Sequence, residues 1–345
     1  MTAAGERPAV VSSPADLLLR VEDLHTRFLV RRTIIERFTR RPRRFVRAVD
    51  GVSFELHRGE MLALVGESGC GKTTTVQTIL RMIEPAGGTI TLGGTDVTAL
   101  SQRSMRPLRR RLQMIYQDPY ESLDPRFKVR QTVEEPLRVH RMGGSGRTRR
   151  ENVALALERA GLSPAELYAD RYPHELSGGQ RQRVAIAASL VLEPDLLLAD
   201  EPVSMLDVSV RAGVLALLDG LRRDGHMGIL MITHDLSTAA HFADRIAVMY
   251  LGRIVEQGPA HDVVRSPQHP YTRALLAVVP RRDPKERSKA HVLEGETPNP
   301  IDIPAGCRFA PRCPMAEARC GEVDPQLHQA LASDTPGHDV ACILA

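Results

Sequence analysis

The chain has 345 residues, 42% hydrophobic and 26% charged, a balance that excludes intrinsic disorder and collagen-like repetition. Its 46 basic and 42 acidic side chains leave a formal charge of +4, too mild to demand nucleic acid as a partner. The longest nearly apolar run, residues 184–192, is about half of the roughly 18–20 residues a membrane-spanning helix needs, and no secretory apolar segment follows Met1. The chain is therefore expected neither to span a membrane nor to be exported.

Residues 1–15 carry Pro, Ser, Ala and Gly without a period and read as a loose lead-in. Leu17 to Val21 reads as a first strand. Between Arg27 and Arg47 nine arginines face a single Glu, a solvated basic loop or, as the lesser reading, a contact for a partner or lipid headgroups. Val52, Phe54 and Leu56 alternate with Ser53, Glu55 and His57, the pattern of a strand with one buried face. Glu60 to Val65 is a short apolar run entering a glycine-rich loop.

From Thr73 the period turns helical through Val76, Ile79, Leu80 and Ile83, until Pro85 and Gly87-Gly88 end it. Arg103 to Arg171 is charged, mostly helical in pattern and without buried strands, so a helical subdomain, about 103–180, is expected as an insertion. Alternation returns with a strand at Leu196–Ala199, a helix around Val214–Leu221, and strands at Ile229–Thr233 and Ile246–Tyr250. Such alternation predicts an α/β fold with a mostly parallel sheet covered by helices. Beyond Pro267 prolines and cysteines thicken and periodicity fades. A small cysteine-rich C-terminal module, residues 266–345, is expected there, too small for a sound hydrophobic core and apart from the domain spanning 15–265.

Gly66-Glu67-Ser68-Gly69-Cys70-Gly71-Lys72-Thr73 fits G-x-x-x-x-G-K-[ST] between an apolar strand and a helix. Glycines let successive N–H groups turn toward phosphate oxygens where side chains would collide. Lys72 would bridge the β- and γ-phosphates, the Thr73 hydroxyl would ligate Mg²⁺, and Thr74 completes the cradle at the helix start, whose dipole favours an anion. Cys70 reads as a small filler of this loop rather than a metal ligand. The strand Leu196–Ala199 delivers Asp200 beside the loop, where it can hold Mg²⁺ through water. Glu201 follows and could orient or deprotonate the attacking water.

Leu176-Ser177-Gly178-Gly179-Gln180, just upstream of that strand, resembles the signature motif of ATP-binding cassette (ABC) ATPases, P-loop NTPases in fold. The resemblance extends in order to Gln117 in Tyr116-Gln117-Asp118-Pro119, to Ser204-Met205-Leu206-Asp207, and to His234 in Thr233-His234-Asp235. It implies that Ser177, Gly178, Gly179 and Gln180 contact the γ-phosphate held by a second ATPase chain, identical or paralogous. It also implies that Gln117 ligates Mg²⁺ and senses the membrane partner, that Asp207 tunes the dimer interface and that His234 contacts the γ-phosphate. Val203 and Met205 stand where the family more often has Thr and Ala; neither removes a phosphate, metal or water contact. The strand spacing puts Phe28 forward as the platform for adenine, with Phe45 as its rival.

Two further stretches, residues 116–126 and Pro267-Gln268-His269-Pro270-Tyr271-Thr272-Arg273-Ala274-Leu275-Leu276, resemble the oligopeptide/dipeptide import ATPases. That likeness implies an ATP-hydrolysing subunit energising peptide import. It would sit peripherally on the cytoplasmic face of the inner membrane, with two permease subunits, an indirect extracytoplasmic solute-binding protein and no nucleic acid. Nickel or other solute import, or a non-transport ATPase acting on nucleic acid, is the alternative. In the tail, Cys307, Cys313, Cys320 and Cys342 supply four thiols that suit a metal better than disulfides. Resemblance to the same family implies a [4Fe–4S] cluster there, ahead of zinc, for which His328 and His338 would be reserve ligands.

Overall fold

The computed structural model describes residues 16–30, 43–225, 227–277, 298–330 and 335–345. Most of the arginine-rich stretch, residues 31–42, lies outside them. The strands are β1 (Leu17–Leu29), β2 (Phe45–His57), β3 (Met61–Val65), β4 (Gly87–Leu92), β5 (Thr95–Asp96), β6 (Leu112–Ile115), β7 (Leu196–Asp200), β8 (Gly228–Thr233), β9 (Arg245–Tyr250), β10 (Arg253–Pro259), β11 (His328–Gln329) and β12 (Asp339–Val340). Two sheets result: an antiparallel one, β2-β1-β4-β5, and a larger one, β11-β12-β10-β9-β3-β8-β7-β6. In the larger sheet the run β9-β3-β8-β7-β6 is parallel throughout.

That parallel run explains the continuous apolar stretches. In β3, Met61, Ala63 and Val65 face one apolar cluster, whereas Leu62 and Leu64 face another shared with β1 and β2. Leu197 and Ala199 part from Leu196 and Leu198 in the same way. A strand buried on both faces cannot alternate polar with apolar residues. The first cluster continues into helices α4 (Val129–Val139), α5 (Gly146–Arg159) and α7 (Gly178–Leu190) through Val133, Leu157 and Val184.

Three expectations change. The helix after the glycine loop, α1 (Lys72–Ile79), stops earlier than its apolar period implies, because Arg81 adopts φ +55° and breaks the spiral. The segment from Arg103 is not wholly helical. After α2 (Gln102–Arg109) it gives β6, an edge strand parallel to β7 that is only four residues long and follows a run of arginines. The tail does not stand apart from the cassette either, although Ala330, Val340 and Cys342 form a small cluster of their own. β12 pairs with β10, and Phe309 belongs to the large cluster of the parallel sheet, against Tyr250 and Tyr271. No helix among the described residues is long and apolar enough to cross a membrane.

Candidate nucleotide-binding site

The glycine loop leaves β3 at Val65 and enters α1 at Lys72. Two of its glycines are required by space: a Cβ on Gly66 would collide with the Met249 carbonyl oxygen, and one on Gly71, at φ +112°, with that of Ala48. Lys72, buried here, donates through Nζ to the carbonyls of Gly66 at 2.7 Å and Glu67 at 2.9 Å, and to Cys70 Sγ at 3.7 Å. Cys70 is a buried filler whose thiol burial pushes up.

Thr73 Oγ1 donates to Asp200 Oδ1 at 3.3 Å, joining the first turn of α1 to the end of β7. Burial pushes the Asp200 carboxyl up, with the neighbouring Glu201 charge adding to it. A buried carboxylate beside a threonine hydroxyl is the oxygen donor set that a hard divalent cation prefers. Glu201 sits at φ +45°, its N–H bonded to the Ile232 carbonyl at 3.0 Å. Gln117 Nε2 donates to Glu201 Oε2 at 3.1 Å, and His234 Nδ1 lies 3.2 Å from Oε1. Three strand ends, those of β6, β7 and β8, thus meet at one carboxylate.

Lys72, Thr73, Gln117, Glu201 and His234 line a cavity of about 530 Å³ together with Ser68, Gly69, Gly71 and Thr74, whereas Asp200 stands behind Thr73, outside the lining. Phe28 does not line it. Its strand partner Val46 does, and both Phe28 and Phe45, the first residue of β2, are partly exposed. The sequence reading missed Arg47, Leu251-Gly252 and Pro300, which complete the wall. A turn signal was available for Leu251-Gly252, both at positive φ. None was available for Pro300, whose carbonyl accepts from Arg47 N–H at 3.2 Å only after the tail folds back.

The signature residues lie outside this cavity. Ser177 caps α7: its Oγ accepts from Gln180 N–H at 3.3 Å while Gln180 Oε1 accepts from Ser177 N–H at 2.9 Å. This reciprocal pair is a capping box. Gly179 is closely packed, a Cβ there falling 2.4 Å from Val210 Cγ1, and Gly178 lies against Leu206. Asp207 is exposed, its carbonyl accepting from Val210 and Arg211 N–H at the start of α8 (Val208–Gly225).

The iron–sulfur expectation is corrected. Cys307, Cys313, Cys320 and Cys342 do approach one another, but around a void of about 10 Å³ lined by Phe309 and Leu344. Burial pushes the Cys307 and Cys313 thiols up. Among the described residues no group of three or more His, Cys, Asp or Glu could hold a metal ion, so the zinc alternative fails with the cluster. His338 Nε2 is engaged by Glu256 at 2.8 Å, and His328 is exposed.

Comparison with known proteins agrees with the geometry. The family described as ABC transporter matches residues 49–204, and oligopeptide/dipeptide transporter, C-terminal region, matches residues 255–320. The chain is 46% identical over 302 residues to the oligopeptide transport ATP-binding protein AppF of Bacillus subtilis (strain 168), covering 87% of this chain and 90% of AppF. The cassette MJ0796, solved as a dimer in a post-hydrolysis state bound to ADP and Pi, is similar at TM-score 0.61 and 27% identity, over 71% of this chain and 99% of that one. cbiO1 from Clostridium perfringens, part of the ABC transporter complex cbiONQ, reaches TM-score 0.61 and 29% identity over 73% of this chain and 92% of its own. The chain belongs to the ABC transporter ATPases, in the oligopeptide/dipeptide family whose ATP-binding proteins energise peptide import.

Proposed function

We propose that this chain binds Mg-ATP in the cavity at the glycine loop and hydrolyses it to drive a peptide importer. The observation that carries the reading is the convergence of Lys72, Thr73, Gln117, Glu201 and His234 on that one cavity. Nucleotide phosphates would draw Lys72 Nζ from the Gly66 and Glu67 carbonyls and receive the loop N–H groups, including those of Ser68, Gly69, Gly71 and Thr74. Thr73, Asp200 and Gln117 would hold Mg²⁺, which neutralises phosphate charge when bound. Glu201 orients the attacking water and accepts its proton, and His234 faces the γ-phosphate. Val46, with Phe28 paired beside it, offers the adenine its apolar surface.

A single chain supplies only half of each reaction site. Ser177, Gly178, Gly179 and Gln180 stand outside the chain's own cavity, in keeping with action on the nucleotide of a second ATPase chain, and Asp207 lies in the same interface. The dimeric arrangement described for MJ0796 supports this reading. Residues 15–265 form the ATPase domain, with the helical subdomain at about 103–180, and residues 266–345 its C-terminal region. The assembly would add two permease subunits on the cytoplasmic face of the inner membrane and, indirectly, an extracytoplasmic solute-binding protein. Closure of the two chains would then bias the permease between access states by differential contact.

Purification of the tagged chain from detergent extracts tests this. Polytopic membrane proteins should co-purify, and the assembly should release phosphate from ATP. Recovery of the chain with nucleic acid and without membrane subunits would refute the transporter reading.

A further inference from the structure

Glu67, the second residue of the glycine loop, is gripped at its N–H and at its carboxylate from outside the loop. Its N–H donates to the Tyr271 hydroxyl at 3.0 Å. Its carboxylate receives both terminal nitrogens of Arg312, at 2.8 and 3.1 Å. Its carbonyl accepts from Lys72 Nζ at 2.9 Å. Tyr271 and Arg312 lie 204 and 245 residues further along the chain, beyond the last parallel strand.

The holders are themselves fixed. Tyr271 is fully buried on α11 (Pro270–Ala277) and packs against Tyr250 and Phe309. The start of that helix is tied to the sheet by Glu256, a wholly buried carboxylate of β10. It accepts from Gln268 N–H at 2.7 Å and His269 N–H at 2.9 Å, and it meets His338 Nε2 at 2.8 Å. His269 Nδ1 in turn accepts from Tyr271 N–H at 3.0 Å, and full burial lowers the His269 pKa to about 4, so the ring stays a neutral acceptor. Arg312 also lies over the Tyr250 ring, 5.9 Å from its centroid.

We propose that Tyr271 and Arg312 are positioning residues that set nucleotide affinity by holding Glu67, and through it the phosphate loop and Lys72. The proposal rests on the reading of this loop as the ATP site. It gives a role to the Pro267–Leu276 stretch, which the hydrolytic machinery does not use. When Lys72 leaves the Glu67 carbonyl for phosphate, a loop held by two distant residues keeps its shape. A loop without them would spend binding energy on ordering. Neither residue touches the reacting atoms, so the effect belongs in affinity rather than turnover.

The test titrates the full chain with ATP and Mg²⁺ by calorimetry, for wild type, Tyr271→Phe, Arg312→Met, Arg312→Lys and Glu67→Gln. Removing one such bond should weaken ATP about three- to tenfold. Arg312→Lys should recover part of that loss. Arg312→Met combined with Glu67→Gln should weaken binding by less than the product of the two single changes. In the assembled ATPase the KM for ATP should rise in the same ratio and exceed any change in kcat; loss of folded protein would instead lower kcat and leave KM. Tyr271→Phe keeps the packed ring and decides the matter if Arg312→Met does not fold. Affinities within twofold of a wild type that binds ATP overturn the inference alone. A wild type that binds no ATP overturns the nucleotide-site reading and the inference with it.

Discussion

Gln117 Nε2 donates to Glu201 Oε2 across 3.1 Å, joining residues 84 apart in the sequence. The other carboxylate oxygen faces His234 Nδ1 at 3.2 Å. Glu201 therefore holds one orientation from two sides, on a backbone fixed at φ +45°. A group placed in this way loses little entropy when a water molecule has to be aligned beside it. The bonds also link the carboxylate proposed to activate water to Gln117, in the connection between β6 and α4.

Lys72→Ala should abolish useful nucleotide affinity while leaving the fold in place. The ammonium makes charge-assisted bonds to the loop carbonyls and would make the same kind to phosphate. Losing it costs about 1.5–3 kcal/mol, or roughly ten- to a hundredfold in Kd. Calorimetric titration with ATP measures this, and a Kd near that of wild type would remove Lys72 from the phosphate contacts.

Ser177→Arg should bind ATP as one chain but fail to close a pair. Its hydroxyl caps α7 at an exposed position, so the change costs stability only on the order of 1 kcal/mol. Light scattering after size exclusion, with ATP present and the Glu201→Gln background to slow turnover, reads the pairing. If the two chains are identical, mixing with Lys72→Ala chains should restore one competent site per pair. ATP-dependent pairing of Ser177→Arg at the wild-type level would place the signature outside the interface.

Asp50 and Arg308, both buried, form an ion pair between β2 and the tail. Burial pushes the Asp50 carboxyl up, but the hydrogen bond and charge of Arg308, with help from His25, outweigh it and leave the group below its usual value. The folded protein then binds fewer protons at Asp50 than the unfolded chain does. Its contribution to stability is complete above the unfolded pKa, about 4, and is lost as pH falls below it. Asp50→Asn leaves the guanidinium buried without its counter-charge, at a cost of about 3–5 kcal/mol at neutral pH. Denaturant melts at pH 7 and pH 3 should show a large gap between the two proteins at pH 7 that narrows at pH 3. An equal gap at both would show that the pair does not titrate.

Much of the site was legible because its chemistry sits in consecutive residues. The loop Gly66–Thr73, the pair Asp200-Glu201 and the cap Ser177–Gln180 each carry their geometry in local backbone, and the structure gives each the expected strand end or helix start. Strands buried on both faces, such as β3 and β8, were equally plain. What escaped is tertiary. β6 is too short to declare a period, and its partner β7 lies some eighty residues away. The tail thiols were read as metal ligands from their number and from family resemblance, whereas among the described residues no group of three or more His, Cys, Asp or Glu could hold a metal ion. The grip of Tyr271 and Arg312 on Glu67 has no local sign at all, since each partner is an ordinary residue until the chain returns.

Phosphate release by the assembled transporter, compared between wild type and Glu201→Gln, tests the central claim most directly. Glu201 is the base that activates water in this account, and loss of general-base catalysis lowers a rate by about 10²–10⁴-fold. The account predicts that Glu201→Gln retains ATP with wild-type affinity, locks the two chains together and releases phosphate at least about a hundredfold more slowly. Phosphate release by Glu201→Gln at the wild-type rate would contradict it.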